Sequence, residues 1–200
     1  MVSGNTITPG ISSRRAFLRS GGNAALSASA IVALSGAGAA LTRAHASSGD
    51  AAQDVAILNV ALGLEHEAIA AYQLGAESGL LEKSVLGVAV QFQSHHKAHR
   101  DALMGAIGSM GGEAVEAKKL KAYAKDLNAA SLMSQTDVLM LAARLELGAA
   151  NAYLGVIPAF ESHDLAQIAA RLAADETMHW TTLTSALGQS LPTDALTFGA

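Results

Sequence analysis

Six glutamate and histidine side chains at matched helical spacings are the candidates for chemistry in this sequence. They comprise two single glutamates, one Glu-x-x-His pair and one His-x-x-His pair: Glu65, Glu146, Glu176 with His179, and His96 with His99. Carboxylate oxygens and imidazole nitrogens bind iron, manganese or zinc. Residues three apart lie on one helix face and can converge on one ion. The pattern therefore predicts a metal site.

Four blocks of apolar residues at helical spacing have to position these side chains. They cover approximately residues 52–77, 82–109, 135–157 and 163–188, and each is long enough for a bundle helix. The chain has only three prolines and 4% aromatic residues, which together with abundant alanine and leucine favours helices. The sequence therefore predicts an all-α fold.

Turn and cap signals mark the ends of these blocks. Ser78-Gly79 separates the first two blocks, Gly111-Gly112 follows the second, and Pro158 ends the third. Ser134 with Asp137 predicts a capping box at the start of the third block.

The lengths of the connections predict the topology. The connections within the first pair and within the second pair are only a few residues long, so each pair should form an antiparallel hairpin. The middle connection, residues 111–134, has to cross the bundle, with a short amphipathic helix around residues 113–127. We expect a four-helix bundle with one long crossover between the second and third helices.

The two hairpins share an internal repeat. The pattern LExxAxxAY of residues 64–72 recurs at residues 145–153, an offset of 81. The second helix matches the fourth at an offset of 80, which aligns His96 and His99 with Glu176 and His179. The chain therefore contains two copies of one helical hairpin.

Helical periodicity points all six polar side chains into the core. On the first helix, Glu65 shares a stripe with Leu58, Leu62, Ile69 and Tyr72. An ionised carboxylate in an apolar interior costs several kcal/mol unless it is compensated, and three carboxylates also repel one another. Bound cations would offset both effects. Two-metal carboxylate sites in helical bundles have a characteristic arrangement. Two of the helices each supply a single glutamate, and each of the other two supplies a pair of ligands at positions i and i+3.

These residues and their order resemble the ferritin-like superfamily, and within it the exported ferritin-like proteins that include desiccation-related members. The resemblance covers about residues 52–189. It implies a ferritin-like four-helix bundle in which Glu65 and Glu146 match the single glutamates. Glu176 and His179 match one Glu-x-x-His pair, and His99 matches the histidine of the other.

His96 departs from the superfamily pattern, which usually has a glutamate at this position. A carboxylate can bridge two ions through its two oxygens, whereas a neutral imidazole binds one ion through one nitrogen. The second metal is therefore expected to be weak or absent, and sites with one or two ions both remain open.

Three functions are compatible with such a site. The first is an iron or manganese centre that reacts with oxygen or peroxide, as in ferroxidases, peroxidases and catalases of the superfamily. The second is metal holding without turnover, for which zinc is suited. The third is a structural, stress-protective bundle with a vestigial site. Oxidant-dependent spectral change would distinguish the first from the others.

Other residues near the predicted site have simpler interpretations. Tyr72 and Tyr153 lie two turns beyond their glutamates, where they could hydrogen-bond near the site or carry an electron, and core packing is the favoured role. Three residues fall off the inward stripe and should be exposed or lie beside the ligands: His66, Glu67 and His95. Five methionines are interpreted as core filling: Met104, Met110, Met133, Met140 and Met178.

The first 46 residues are interpreted as a signal peptide. Residues 13–19, SRRAFLR, resemble a twin-arginine (Tat) export signal, and a mildly apolar segment at 21–41 precedes the small-x-small motif Ala44-His45-Ala46. We expect the Tat export machinery to deliver a mature domain, residues 47–200, to the periplasm or the exterior. Retention of the segment as a membrane anchor is the alternative. After cleavage no stable membrane span is expected.

Composition excludes several other classes. The chain has no cysteine, so it has no disulfide framework and no thiolate nucleophile. All 17 acidic residues follow residue 46, against nine of the 13 basic residues, which argues against a nucleic-acid surface. No Gly-x-Ser-x-Gly motif of a serine hydrolase occurs. Small residues on the helix surfaces are compatible with a homodimer.

Overall fold

Two helical hairpins form the part of the chain that the structure describes, residues 48–199 of a computed structural model. The five α-helices of this part are α1 (Ser48–Glu77), α2 (Lys83–Ser109), α3 (Leu120–Asp126), α4 (Gln135–Val156) and α5 (His163–Ala186). Helix α1 pairs with α2, α4 pairs with α5, and α1 also packs against α4. The predicted all-α bundle with one long crossover is confirmed. The predicted signal peptide and its cleavage motif lie outside the described residues.

The predicted helix boundaries rest on local hydrogen bonds and turns. At the start of α4, the Asp137 amide donates to the Ser134 hydroxyl at 3.2 Å, and the Asp137 carboxylate accepts from the Met133 amide at 3.0 Å. Gly79 ends the first hairpin turn with a φ of +72°, a conformation that favours glycine. Pro158 lies in the 3₁₀ turn that follows α4.

The crossover contains less helix than the sequence pattern predicts. Only Leu120–Asp126 is α-helical, whereas the pattern predicted a helix around residues 113–127. The side-chain amide of Asn59 explains the difference: it donates to the Glu113 carbonyl at 2.9 Å and accepts from the Val115 amide at 2.7 Å. These bonds to α1 satisfy the Glu113 carbonyl and the Val115 amide outside a helix and hold this part of the segment extended along the bundle.

The core has a polar layer between two apolar layers. One apolar layer contains Leu58, Leu62, Leu103 and Ile107, and the other contains aromatic and aliphatic side chains of all four bundle helices: Tyr72, Phe92, Leu139 and Leu183. Along each long helix, the predicted ligands fall between the residues of these two layers. The bundle thus encloses the polar side chains from both ends.

The interpretation of the methionines as core filling is wrong for four of the five. Met104, Met133, Met140 and Met178 are 43–77% exposed, while Met110 packs against the core. Alanine and leucine make up most of the buried core instead, and these four methionines lie on the outer faces.

One helix among the described residues is long and apolar enough to cross a membrane, over Ala51–Glu77. However, 44% of its most apolar window is buried inside the bundle. A core helix of a folded bundle has the same length and composition, so this is weak evidence for a membrane span.

Candidate metal centre

The structure brings all six predicted side chains together in the polar layer. Each of them is at most 6% exposed. Their ligand atoms form two groups of four, and within each group all four atoms lie within 4.8 Å of one another. The first group is Glu65, His96, His99 and Glu176; the second is His96, Glu146, Glu176 and His179. The groups share His96 and Glu176, so that one or two ions could be held.

His96 lies between the two single glutamates. Its Nδ1 is 2.8 Å from Glu65 Oε2, and its Nε2 is 3.1 Å from Glu146 Oε1. Both ring nitrogens therefore contact carboxylates from opposite hairpins.

Glu176 occupies the position equivalent to His96 in the second copy of the repeat. Its Oε1 is 3.2 Å from His99 Nδ1, and its Oε2 is 3.1 Å from His179 Nδ1. The two shared positions are thus repeat equivalents, one an imidazole and the other a carboxylate.

The single glutamates are ionised in this environment. Burial alone would raise the pKa of Glu65, but hydrogen bonds with His96 and His99 outweigh it and lower the pKa to about 2. Burial likewise opposes ionisation of Glu146, yet hydrogen bonds with His179 and His96 hold its pKa well below the usual range.

The pKa values of the three candidate histidine ligands are raised because carboxylates surround their imidazoles. Burial disfavours a charged His99, but contacts with carboxylates, chiefly Glu176, raise its pKa to about 10. Burial also opposes the charge on His96 and His179, and again neighbouring carboxylates raise both pKa values. For Glu176 burial prevails, and its pKa is raised. The metal-free cluster therefore balances its carboxylates with protons on the imidazoles.

Two ligand atoms support the fit of a metal ion to this cluster. His99 Nδ1 and Glu176 Oε1 are buried 3.2 Å apart, but neither makes a well-aligned hydrogen bond to the other or to any other described group. An unsatisfied buried polar atom costs about 1–3 kcal/mol, so some other partner would stabilise both. Both residues belong to the first group, and a divalent cation that binds nitrogen and oxygen suits these two atoms.

Two buried tyrosines contact the glutamates across the bundle. The Tyr72 hydroxyl donates to Glu146, and the Tyr153 hydroxyl donates to Glu65. Burial, and then the nearby carboxylates, raise the pKa of both hydroxyls, so they keep their protons and donate. The favoured role of core packing and the alternative of hydrogen bonding near the site therefore both hold, because the rings are buried while the hydroxyls donate to carboxylate oxygens.

Comparison with known proteins agrees with the helical-bundle fold described above. The family model described as the ferritin-like domain matches residues 53–189, which include the four bundle helices almost entirely and all six clustered residues. The chain belongs to the ferritin-like domain family. The ferritin-like fold is shared with a conserved hypothetical protein from Mycobacterium tuberculosis, with 25% identity and a TM-score of 0.59 over 75% of this chain and 99% of that one. No curated protein matches the chain.

Two further residues of this ferritin-like bundle contact the outer nitrogens of the candidate ligands. His95 Nδ1 lies 2.9 Å from His179 Nε2, and Asp175 Oδ2 lies 3.1 Å from His99 Nε2. Such partners fix the orientation and tautomer of ligand imidazoles. Sequence periodicity missed Asp175, although the 80-residue repeat aligns it with His95 and so contained the signal.

Neither His66 nor Glu67 contributes to the ligand groups. His66 is 9% exposed, and its Nε2 lies 3.1 Å from the Val115 carbonyl of the crossover. The expectation that it is exposed or beside the ligands is therefore wrong, because the extended crossover covers it. Glu67 is half-buried, and burial raises its pKa.

Proposed function

We propose that this chain is an exported ferritin-like metalloprotein whose Glu/His cluster holds one or two iron or manganese ions and reacts with oxygen or peroxide. The proposed ligands are Glu65, His96, His99, Glu146, Glu176 and His179. The observation that carries the proposal is the convergence of these six buried side chains into two ligand groups with shared members.

The chain's own residues would hold and orient the centre. Each ligand group offers four donors, and Glu176 can reach both groups through its two oxygens. Iron or manganese, when bound, would supply one-electron changes of oxidation state. Tyr72 and Tyr153 hold one oxygen of each single glutamate, which leaves the carboxylates restricted in orientation. The apolar layers above and below exclude bulk water.

Export by the Tat pathway is part of the proposal and rests on residues 13–19 and 44–46 of the sequence. Because this route carries folded proteins, the metal could be selected in the cytoplasm before export to the periplasm or exterior. A role in oxidative or desiccation stress follows from the resemblance to exported ferritin-like proteins.

A second candidate is a bundle without turnover, either holding a metal such as zinc or retaining a vestigial site. The contacts of His96 favour it, because its two nitrogens lie 2.8 Å and 3.1 Å from carboxylate oxygens and bind them without an ion. His99 Nδ1 and Glu176 Oε1, which lack a well-aligned hydrogen bond, favour a metal instead.

Elemental analysis of residues 47–200, exported by the native host and purified without chelator or histidine tag, tests the proposal. Iron or manganese near one or two equivalents, with a spectral change on adding oxygen or peroxide, supports it. Zinc without such a change supports metal holding. Absence of metal that cannot be restored by reconstitution supports a structural bundle with a vestigial site.

A further inference from the structure

An apolar cavity of about 90 Å³ adjoins the candidate metal centre. It lies toward the end of the bundle where α1 ends and α4 begins. All four bundle helices line it, for example through Ala68, Ala89, Leu139 and Leu183. The cavity is therefore formed by the assembled bundle and belongs to neither hairpin alone.

The cavity offers water few partners. Its two hydroxyl-bearing side chains, Tyr72 and Thr182, donate to Glu146 and to the Met178 carbonyl. A buried water needs two to four polar partners, and an apolar cavity of about 150 Å³ stays dry and binds benzene or xenon. The present cavity is smaller and partly open beside the exposed Thr182 and Ala186, and its apolar walls suit a small apolar molecule.

Two aromatic rings connect the cavity to the ligands. Tyr72 and Phe92 line the cavity, and each packs on a candidate ligand ring. The Tyr72 ring centroid is 5.3 Å from that of His96, and the Phe92 ring stacks on His179 at 4.0 Å. One layer of aromatic side chains thus separates a molecule in the cavity from the centre.

We propose that this cavity binds dioxygen and holds it beside the metal centre. The inference rests on the proposed function and narrows its oxidant from oxygen or peroxide to dioxygen. Hydrogen peroxide carries two hydrogen-bond donors and several acceptor lone pairs. On entering the cavity it would lose its hydrogen bonds to water, and the cavity walls offer few hydrogen-bond partners in exchange. Dioxygen has no donors to satisfy and loses little on leaving water.

Methyl-proton NMR relaxation of the metal-free protein under dioxygen pressure tests the cavity directly, because dissolved dioxygen is paramagnetic. We expect the methyl groups of Leu183, which is 4% exposed, to relax faster than those of Leu172, which is 5% exposed and lies in the other apolar layer. Equal relaxation of both sets would overturn the inference. This measurement needs no metal and no activity, so it fails or succeeds independently of the proposed function.

Filling the cavity provides a matched test. Ala89→Leu on α2 should remove the enhanced relaxation, whereas Ala98→Leu, at an exposed position of the same helix, should retain it. If Ala89→Leu does not fold, Ala142→Leu fills the cavity from α4. Persistence of the enhancement in a folded, filled variant contradicts the inference. Enhanced relaxation in a protein that binds no redox metal overturns the proposed function and leaves the cavity as a dioxygen site.

Discussion

Tyr153 of α4 donates its hydroxyl hydrogen bond to Glu65 of α1, 88 positions earlier in the chain. Tyr72 of α1 makes the reciprocal bond to Glu146 of α4. Each hairpin therefore orients the glutamate of the other. Contacts between the two hairpins also occur on the outer side of the candidate ligands. There, His95 of the first hairpin contacts His179 of the second, and Asp175 of the second contacts His99 of the first.

Removal of one such hydroxyl should weaken metal binding without removing a ligand. Tyr153→Phe leaves a buried Glu65 oxygen without its donor, which costs about 1–3 kcal/mol, or roughly 5-fold to 150-fold in affinity if the loss is specific to the bound state. Titration of the metal-free protein with Mn²⁺ measures this. Tyr123→Phe is the control, since Tyr123 is also buried but accepts a hydrogen bond from the Lys118 amide in the crossover. Equal losses in both variants would argue against an orienting role.

Substitution of the candidate ligand Glu146 should lower metal affinity more than substitution of His95, which contacts a candidate ligand from outside. Periodicity alone predicts that His95→Ala leaves metal binding intact, but the 2.9 Å contact with His179 changes this expectation. Loss of an outer partner typically costs about 10-fold to 100-fold in metal affinity. We expect Glu146→Ala to abolish or sharply weaken binding and His95→Ala to weaken it by this smaller factor, as measured by calorimetric titration. A larger loss in His95→Ala than in Glu146→Ala would contradict the ligand assignment.

His96→Glu should increase the number of bound ions toward two. The substitution gives the two shared positions the same carboxylate chemistry, so both could bridge. Without metal, a fourth buried carboxylate should lower the melting temperature, and added Mn²⁺ should restore it. His163→Glu, at the exposed start of α5, is the matched control and should change neither the stoichiometry nor the metal dependence. Unchanged stoichiometry in folded His96→Glu would show that His96 does not limit the site.

Stability of the metal-free protein should depend on pH in a defined direction. The pKa of His99 is raised from 6.5 to about 10, so its contribution is fully present below pH 6.5 and is lost as pH rises through 10. The pKa of Glu65 is lowered from 4.5 to about 2, so its contribution is present above pH 4.5 and is lost as pH falls through 2. Urea unfolding in chelator should therefore give maximal stability between about pH 4.5 and 6.5.

Metal affinity should follow the opposite trend above pH 6.5. Binding requires neutral imidazoles and so releases protons, which means that affinity rises with pH while metal-free stability falls. His99→Gln should flatten the alkaline loss of stability in the metal-free protein. An unaltered pH profile in that folded variant would assign the effect to other groups.

The convergence of the six candidate ligands was predictable because helical periodicity and an internal repeat both fix positions along each helix. Glu65 and Glu146 could be assigned to the core from their neighbours one turn away. The crossed contacts of Tyr153 and Asp175 depend on the register between helices that are far apart in sequence, which periodicity does not contain. The extended crossover likewise depends on Asn59, whose side chain competes with local helix formation. Four methionines were misassigned because residue type alone does not show which face of a helix is outward.

The crossed contacts also bear on when the proposed metal could bind during folding. An isolated hairpin has two inward ligands on one helix and a single glutamate on the other, and it lacks the tyrosine that orients that glutamate. A complete set of candidate ligands therefore exists only after the two hairpins have docked, so the proposed metal would be captured by the assembled bundle and not by a single hairpin. An ancestral protein with a single hairpin would have needed two copies to build the same centre, and joining them in one chain would have freed the two halves to diverge at His96 and Glu176.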